Sequence, residues 1–389
     1  MSRGYPTIGW HHLLFIWIVL LPASIQGQVS WTPASIDYWK IPIPFQDPLP
    51  PRPEACGTCH ADKYTDWSNS RHAQAFSPGL IGQIADYTET EAARCIACHA
   101  PMADQQEPLF QIGLERIMES KPPDLLANHG VFCAACHLRD GILHAPSFSL
   151  PKPGHKRIHN QTHINPLLRD SQFCATCHQF STSHSINGKP LQDTYREWLD
   201  SSYPSRGETC QTCHMPDQAH LFRGIHDPDM VRHGLTINTN KMEETGVIVI
   251  RSTGIGHRFP TYIVPRIRVI GILLDSASRP IPSGSFEKTI LREMQIENGR
   301  WIEFSDTRLE PGGFLTLQVP WQVNGVCGSK IQFRIIVEPE WYYYETVYPA
   351  LLQELEDGPA QDLIKAAMTV AKDHNYVLFE DILTNLCDN

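Results

Sequence analysis

The chain has 389 residues, 41% of them hydrophobic, and a formal net charge of −10. That length allows two domains. The acidic balance, with no basic stripe anywhere, excludes a nucleic-acid-binding role and points instead to a basic patch on a protein partner.

At the N-terminus Arg3 precedes an apolar run, Leu13 to Leu21, followed by Pro22, Ala23, Ser24 and Gly27. This reads as a secretory signal peptide over 1–27, cut near Gly27. The alternative is an uncleaved anchor, for which the run is short against the roughly 20 residues of a bilayer span. Export is therefore expected, to the periplasm or the cell surface, with no transmembrane span in the mature chain. Residues 28–53 form a proline-rich lead that should be extended.

Five Cys-x-x-Cys-His motifs follow: Cys56-Cys59-His60, Cys95-Cys98-His99, Cys133-Cys136-His137, Cys174-Cys177-His178 and Cys210-Cys213-His214. This spacing attaches c-type haem. Both thiols bond the porphyrin and the adjoining imidazole becomes the proximal iron ligand. Zinc modules would not explain a histidine after every pair. Five covalently attached haem c groups are expected over residues 54–234. Successive first cysteines lie 39, 38, 41 and 36 residues apart. About 40 residues per group is little for a conventional core, so short helices and long loops are expected around the porphyrins. Helices are predicted over 62–76, 109–121 and 192–202.

Near Leu235 the pattern changes. Strand-like runs at Val247–Ile250, Arg266–Leu274, Phe314–Val319 and Ile331–Val337 are separated by turn clusters, including Pro280–Ser285 and Pro311–Gly313. These suggest a β-sandwich-like domain over 235–345. Residues 346–389 read as a helical tail. The expected fold class is α+β: a mostly helical, loop-rich multihaem domain, a β-sandwich-like domain and the tail. Cys327 and Cys387 lie outside the motifs. In an exported chain they read as a disulfide, the alternative being two buried thiols.

Nineteen histidines less the five of the motifs and His11 and His12 of the leader leave twelve for the distal iron positions. His72, His220, His226 and His257 have the most suggestive contexts, and one of His155, His159 and His163 is expected to ligate. His129, His144, His184, His233 and His374 are weaker candidates. Met102 and Met215 sit too close behind proximal histidines to reach the far face of their own haem, and should pack on a neighbouring porphyrin.

The segment from Cys56 to His60 with Trp67-Ser68 and Ser70-Arg71-His72-Ala73 resembles the haem-one module of multihaem cytochromes related to the nitrifier tetrahaem cytochrome and hydroxylamine oxidoreductase. Gly130-Val131-Phe132-Cys133, Phe173-Cys174, Cys210 to Pro216, His220 to Pro228 and Gly256-His257-Arg258-Phe259-Pro260-Thr261 carry the same resemblance. It implies closely packed haems passing electrons, with distal ligands at His72, His220, His226 and His257, and at His159 within its loop. The chain departs from catalytic relatives. It has no Cys-x-x-Cys-Lys motif and five motifs rather than eight, and Tyr342, Tyr343 and Tyr344 read as a packed aromatic strand. Electron transfer without intrinsic catalysis is the expected role. The alternative is an oxidoreductase acting on a small nitrogen or sulfur compound at one open-site haem. Expected partners are redox proteins, a membrane quinol-oxidising or other cytochrome complex among them, and the oligomeric state stays open.

Overall fold

The structure is a computed structural model that describes residues 52–120, 122–139, 141–147, 159, 162–182, 185–297 and 300–385. The leader, most of the proline-rich lead, His155, His184 and Cys387 lie outside the described residues.

The first half is built from short helices that carry the motifs at or near their C-terminal ends. Helix Glu89–His99 shows how the sequence does this. Thr88 accepts from Glu91 N, and Glu91 Oε2 accepts from Thr88 N at 3.0 Å, a capping box that starts the helix on which motif two ends. Asp170 caps Ser171–His178 by accepting from Gln172 N at 2.8 Å, and Thr209 caps Cys210–His214. The predicted helix over 62–76 stops at Ser68, and His72 lies in the turn beyond it. The one over 109–121 divides into Ala103–Ile112 and Leu114–Ser120 at Gly113, whose φ is +86°. The third shortens to Thr194–Leu199.

This half has more apolar core of its own than its residue count suggested. Phe76, Ile84, Ile96, Leu109 and Leu125 cluster around motif two, and Trp67, Met102, Leu126 and Phe132 around motif three. Met102 is thus a core residue.

The second half contains β1 (Leu235–Lys241), β2 (Thr245–Ser252), β3 (Arg266–Leu274), β4 (Pro280–Ile290), β5 (Arg292–Glu297), β6 (Arg300–Asp306), β7 (Phe314–Pro320), β8 (Lys330–Glu338) and β9 (Tyr376–Thr384). Sheet β7-β2-β1 packs on sheet β9-β8-β3-β4, every neighbouring pair antiparallel. Alternate residues of β8, Ile331, Phe333, Ile335 and Val337, are wholly buried against Ile248 and Ile250 of β2 and Leu317 and Val319 of β7. Each such side chain contributes roughly 1.5–3 kcal/mol relative to exposure. The expected sandwich is therefore observed.

Three elements differ from their sequence reading. Pro280–Ser285 opens β4 rather than forming a turn. Tyr343–Val347 is a wide helical turn, not an aromatic strand. The tail is helical over Tyr348–Glu354 and Pro359–Asp373, then returns as β9 along the edge of the larger sheet. Asn385 N donates to Ser329 O at 2.8 Å, two residues along the chain from Cys327. Cys327 is disulfide-bonded, and its expected partner Cys387 lies outside the described residues.

The halves interlock. Helix Pro359–Asp373 lies on helix Pro78–Gln83 so closely that a Cβ on Gly79 would meet Ala367 Cβ at 3.0 Å. Arg292, 1% exposed, ion-pairs Glu303 and donates to the carbonyls of Ile186, Lys189 and Pro190 in the first half.

Candidate haem-binding site

One continuous cavity of about 2490 Å³ runs through the first half and against the sandwich, lined by all ten motif cysteines and all five motif histidines. A fifth of it is about 500 Å³, within the ~300–1,000 Å³ of a single cofactor or ligand pocket.

Imidazoles face one another across this space. His60 faces His159 with ring centres 6.3 Å apart and planes 8° apart, and His214 faces His257 at 6.3 Å and 11°. His137 faces His220 at 6.2 Å and 30°, and His178 faces His72 at 6.1 Å and 45°. Two imidazoles bound through Nε2 on opposite sides of one metal, at about 2.0–2.1 Å each with about 1.1 Å from nitrogen to ring centre, stand ~6.3 Å apart. The residues therefore fit an iron between each pair.

The far ring nitrogens support the same reading. Nδ1 donates to a backbone carbonyl in His137 (His144 O, 2.8 Å), His214 (Arg223 O, 2.5 Å), His220 (Gln218 O, 2.9 Å) and His257 (Arg258 O, 2.9 Å). His99 does likewise to Ala75 O at 2.6 Å, and His178 Nδ1 is 3.1 Å from the Gln192 carboxamide. A proton fixed on Nδ1 leaves the Nε2 lone pair for a metal. Burial disfavours the charged ring at His72, His178 and His257. It is the main cause lowering His72 to about 3 and His178 and His257 to about 4, with neighbouring imidazoles adding to it. His99, His137 and His220 are lowered for the same leading reason.

Local contacts place these rings. Gly130, at φ +58°, approaches the His72 carbonyl so closely that a Cβ would lie 2.4 Å from it, and Val131 N donates to that carbonyl at 2.9 Å. The turn bearing His72 is thereby pinned to motif three, and Phe222 packs on the His72 ring at 4.3 Å. The His257 loop rests on Tyr203, whose ring would meet a Cβ on Gly256 at 2.9 Å. Glu197 on helix Thr194–Leu199 takes up the Arg258 N–H and the Thr261 hydroxyl, both at 3.1 Å. Sequence reading passed over Glu197 and Gln192. Their only signal was a position on the helix and lead-in between motifs four and five.

Other predicted positions lie elsewhere. Among the described residues no second imidazole faces His99. His226 stands with Glu340 and His374, His144 meets His163 edge-on at 5.8 Å, and His233 Nδ1 donates to Asp229 O. His129 lies 3.8 Å from Glu54. Met215 lines the cavity.

The motifs are also ordered in space. Cys56 lies beside Cys133, and Cys174 beside Cys210, close enough to perturb one another's ionisation. Cys136 and Cys177 are close enough to influence one another electrostatically. His72 feels the charges of His178, His214 and His99.

The family model described as Cytochrome c554 and c-prime matches residues 55–138. The fold is similar to a penta-heme cytochrome c552 from Thermochromatium tepidum, with a TM-score of 0.58 and 18% identity over 86% of this chain and 99% of that one. No curated protein matches the sequence. The chain is thus similar to multihaem c-type cytochromes in its motif-bearing segment and in its fold. Electron transfer through covalently bound haem is the role that such a cytochrome serves with its redox partners. Among the described residues no helix is long and apolar enough to cross a membrane.

Proposed function

We propose that this chain is an exported multihaem cytochrome that holds five haem c groups and passes electrons along them without chemistry of its own. The observation that carries the reading is the set of four facing imidazole pairs at the spacing of iron ligation. The ten motif cysteines anchor the groups, and His60, His99, His137, His178 and His214 are the proximal ligands. His159, His220, His72 and His257 close the distal sides of groups one, three, four and five. Each bound haem supplies a one-electron iron couple.

The chain's own part is spacing, exclusion of water and fixed ligand tautomers. Thiol contacts make groups one and three, and four and five, neighbours. The proximity of Cys136 to Cys177 joins three to four. The closeness of His99 to His72 and His178 puts group two beside four.

A second reading attaches to group two alone. Cys95 lies within electrostatic reach of the buried hydroxyls of Tyr262 and Tyr343, and Tyr343 lies within reach of Glu340. Both tyrosines line the cavity and are the hydroxyls near group two that a small molecule held there would use. Carbon monoxide added to the fully reduced protein separates the readings. No spectral change means that all groups are six-coordinate carriers. A change in one haem of five gives group two an exchangeable site, and changes in two or more reject the ligand pairs proposed above.

A further inference from the structure

One side-chain cluster takes no part in the facing pairs. His226 follows motif five, Glu340 lies just beyond β8, and His374 ends helix Pro359–Asp373. Their ligand atoms all fall within 4.8 Å of one another. His374 Nδ1 is 2.9 Å from Glu340 Oε2, and His226 Nε2 is 3.5 Å from Oε1. The two rings stand at 89° with centres 5.2 Å apart, so they cannot face each other across a porphyrin as the other pairs do.

We propose that His226, Glu340 and His374 form a site for a divalent transition ion of the zinc type, distinct from the haem irons. Two imidazole nitrogens and one carboxylate oxygen are the donor set of three-ligand zinc sites that keep an open position. Such donors favour zinc, nickel or copper over calcium or magnesium. Arg71 is the strongest objection, since its Nη2 lies 2.6 Å from Glu340 Oε1. That contact occupies one oxygen and leaves Oε2, on the His374 side, for the ion. Arg71 then orients the carboxylate as an outer partner, at some loss of affinity from its charge. An ion pair alone accounts for Arg71, Glu340 and His374. It leaves His226 Nε2 buried without a well-formed hydrogen bond, and a bound ion supplies that partner. The three ligands come from a loop, a strand end and a helix end, so occupancy would fasten the motif-five loop and the tail to the sandwich.

The proposal rests on the ligand reading above only in leaving His226 out of the haem ligands. The experiment titrates zinc into the oxidised, haem-loaded full chain after dialysis against chelator, by calorimetry and by the zinc-to-iron ratio. One saturable zinc per chain is expected. Glu340→Gln and His374→Ala should each weaken it at least about ten-fold, whereas Arg71→Gln should keep or tighten it. The low-spin haem spectrum monitors folding of each variant. Absence of a saturable site, or affinity unchanged in both ligand variants, overturns the proposal. His226→Ala should weaken zinc and leave the spin state of every haem unchanged. One haem turning high-spin instead would make His226 an iron ligand and overturn the zinc site, without touching the four facing pairs.

Discussion

Glu197 is expected to hold the His257 loop in place, and replacing it tests how the two halves cooperate. Its side chain is 8% exposed and that of its partner Arg308 is 2% exposed. Oε1 accepts from Arg308 Nη1 at 3.0 Å, and Oε2 accepts from Arg258 N and Thr261 Oγ1. Glu197→Ala leaves a buried cation short of one partner and a backbone N–H short of its acceptor. Breaking a buried pair costs about 3–5 kcal/mol. Arg308 keeps Asp306 at 2.8 and 2.9 Å, so the lower end, about 3 kcal/mol, applies. Glu197→Gln should lose far less. Burial pushes the Glu197 carboxyl upward against the pull of Arg308, so its ionised form is held at a cost. The amide still offers an acceptor, and a change within about 1 kcal/mol is expected. Urea unfolding followed by circular dichroism measures stability, and the ferric high-spin bands measure ligation of group five. The Ala variant should show both a lower midpoint and a high-spin fraction, and the Gln variant should restore both. An Ala variant with unchanged midpoint and spin state would refute the reasoning.

His257→Ala should turn one further haem high-spin and leave the others as they are. An unchanged spin-state spectrum would remove His257 from the ligands. Acid should destabilise the protein well before carboxylates matter. His72, His178 and His257 are held neutral by burial and, with haem bound, would be held so by iron at Nε2 as well, so the stability from their neutral rings is complete above about 6.5 and is lost as pH falls. Circular dichroism between pH 7 and 3 should show that loss, and a loss on raising the pH would contradict it. Cys327→Ser opens a loop of about 60 residues and should cost about 4 kcal/mol in the chain-entropy picture, read as a lower urea midpoint.

Proximal ligands were legible because attachment chemistry writes thiols and imidazole into one pentapeptide. Distal ligands were legible only as candidates, because nothing local binds them to a motif. His72 and His178 meet from modules one and four, and His257 reaches His214 from the sandwich. His226 had the same sequence credentials as His220, yet only His220 faces a motif histidine. In the second half, β3 and β8 were plain because their buried alternation runs for nine residues each. β4 was hidden because Pro280, Pro282 and Gly284 read as turn, although an edge strand tolerates them. β9 was hidden behind the strong helical period that precedes it.

The spatial order of the motifs makes group four a junction rather than a link. Group four touches three through Cys177 and Cys136 and five through Cys174 and Cys210, and His99 influences both of its imidazoles. Its proposed distal ligand, His72, comes from module one, on a turn held close against Gly130. A change there should reach every branch, whereas a change at His60 or His257 should reach one end. His72→Met tests this, because methionine raises the potential of a histidine-ligated haem. One step of a potentiometric titration should move upward, and electron exchange should slow between group two and five as well as between one and five. If only one of those exchanges slows, the groups form a simple row with four at one side of it, and the junction is wrong.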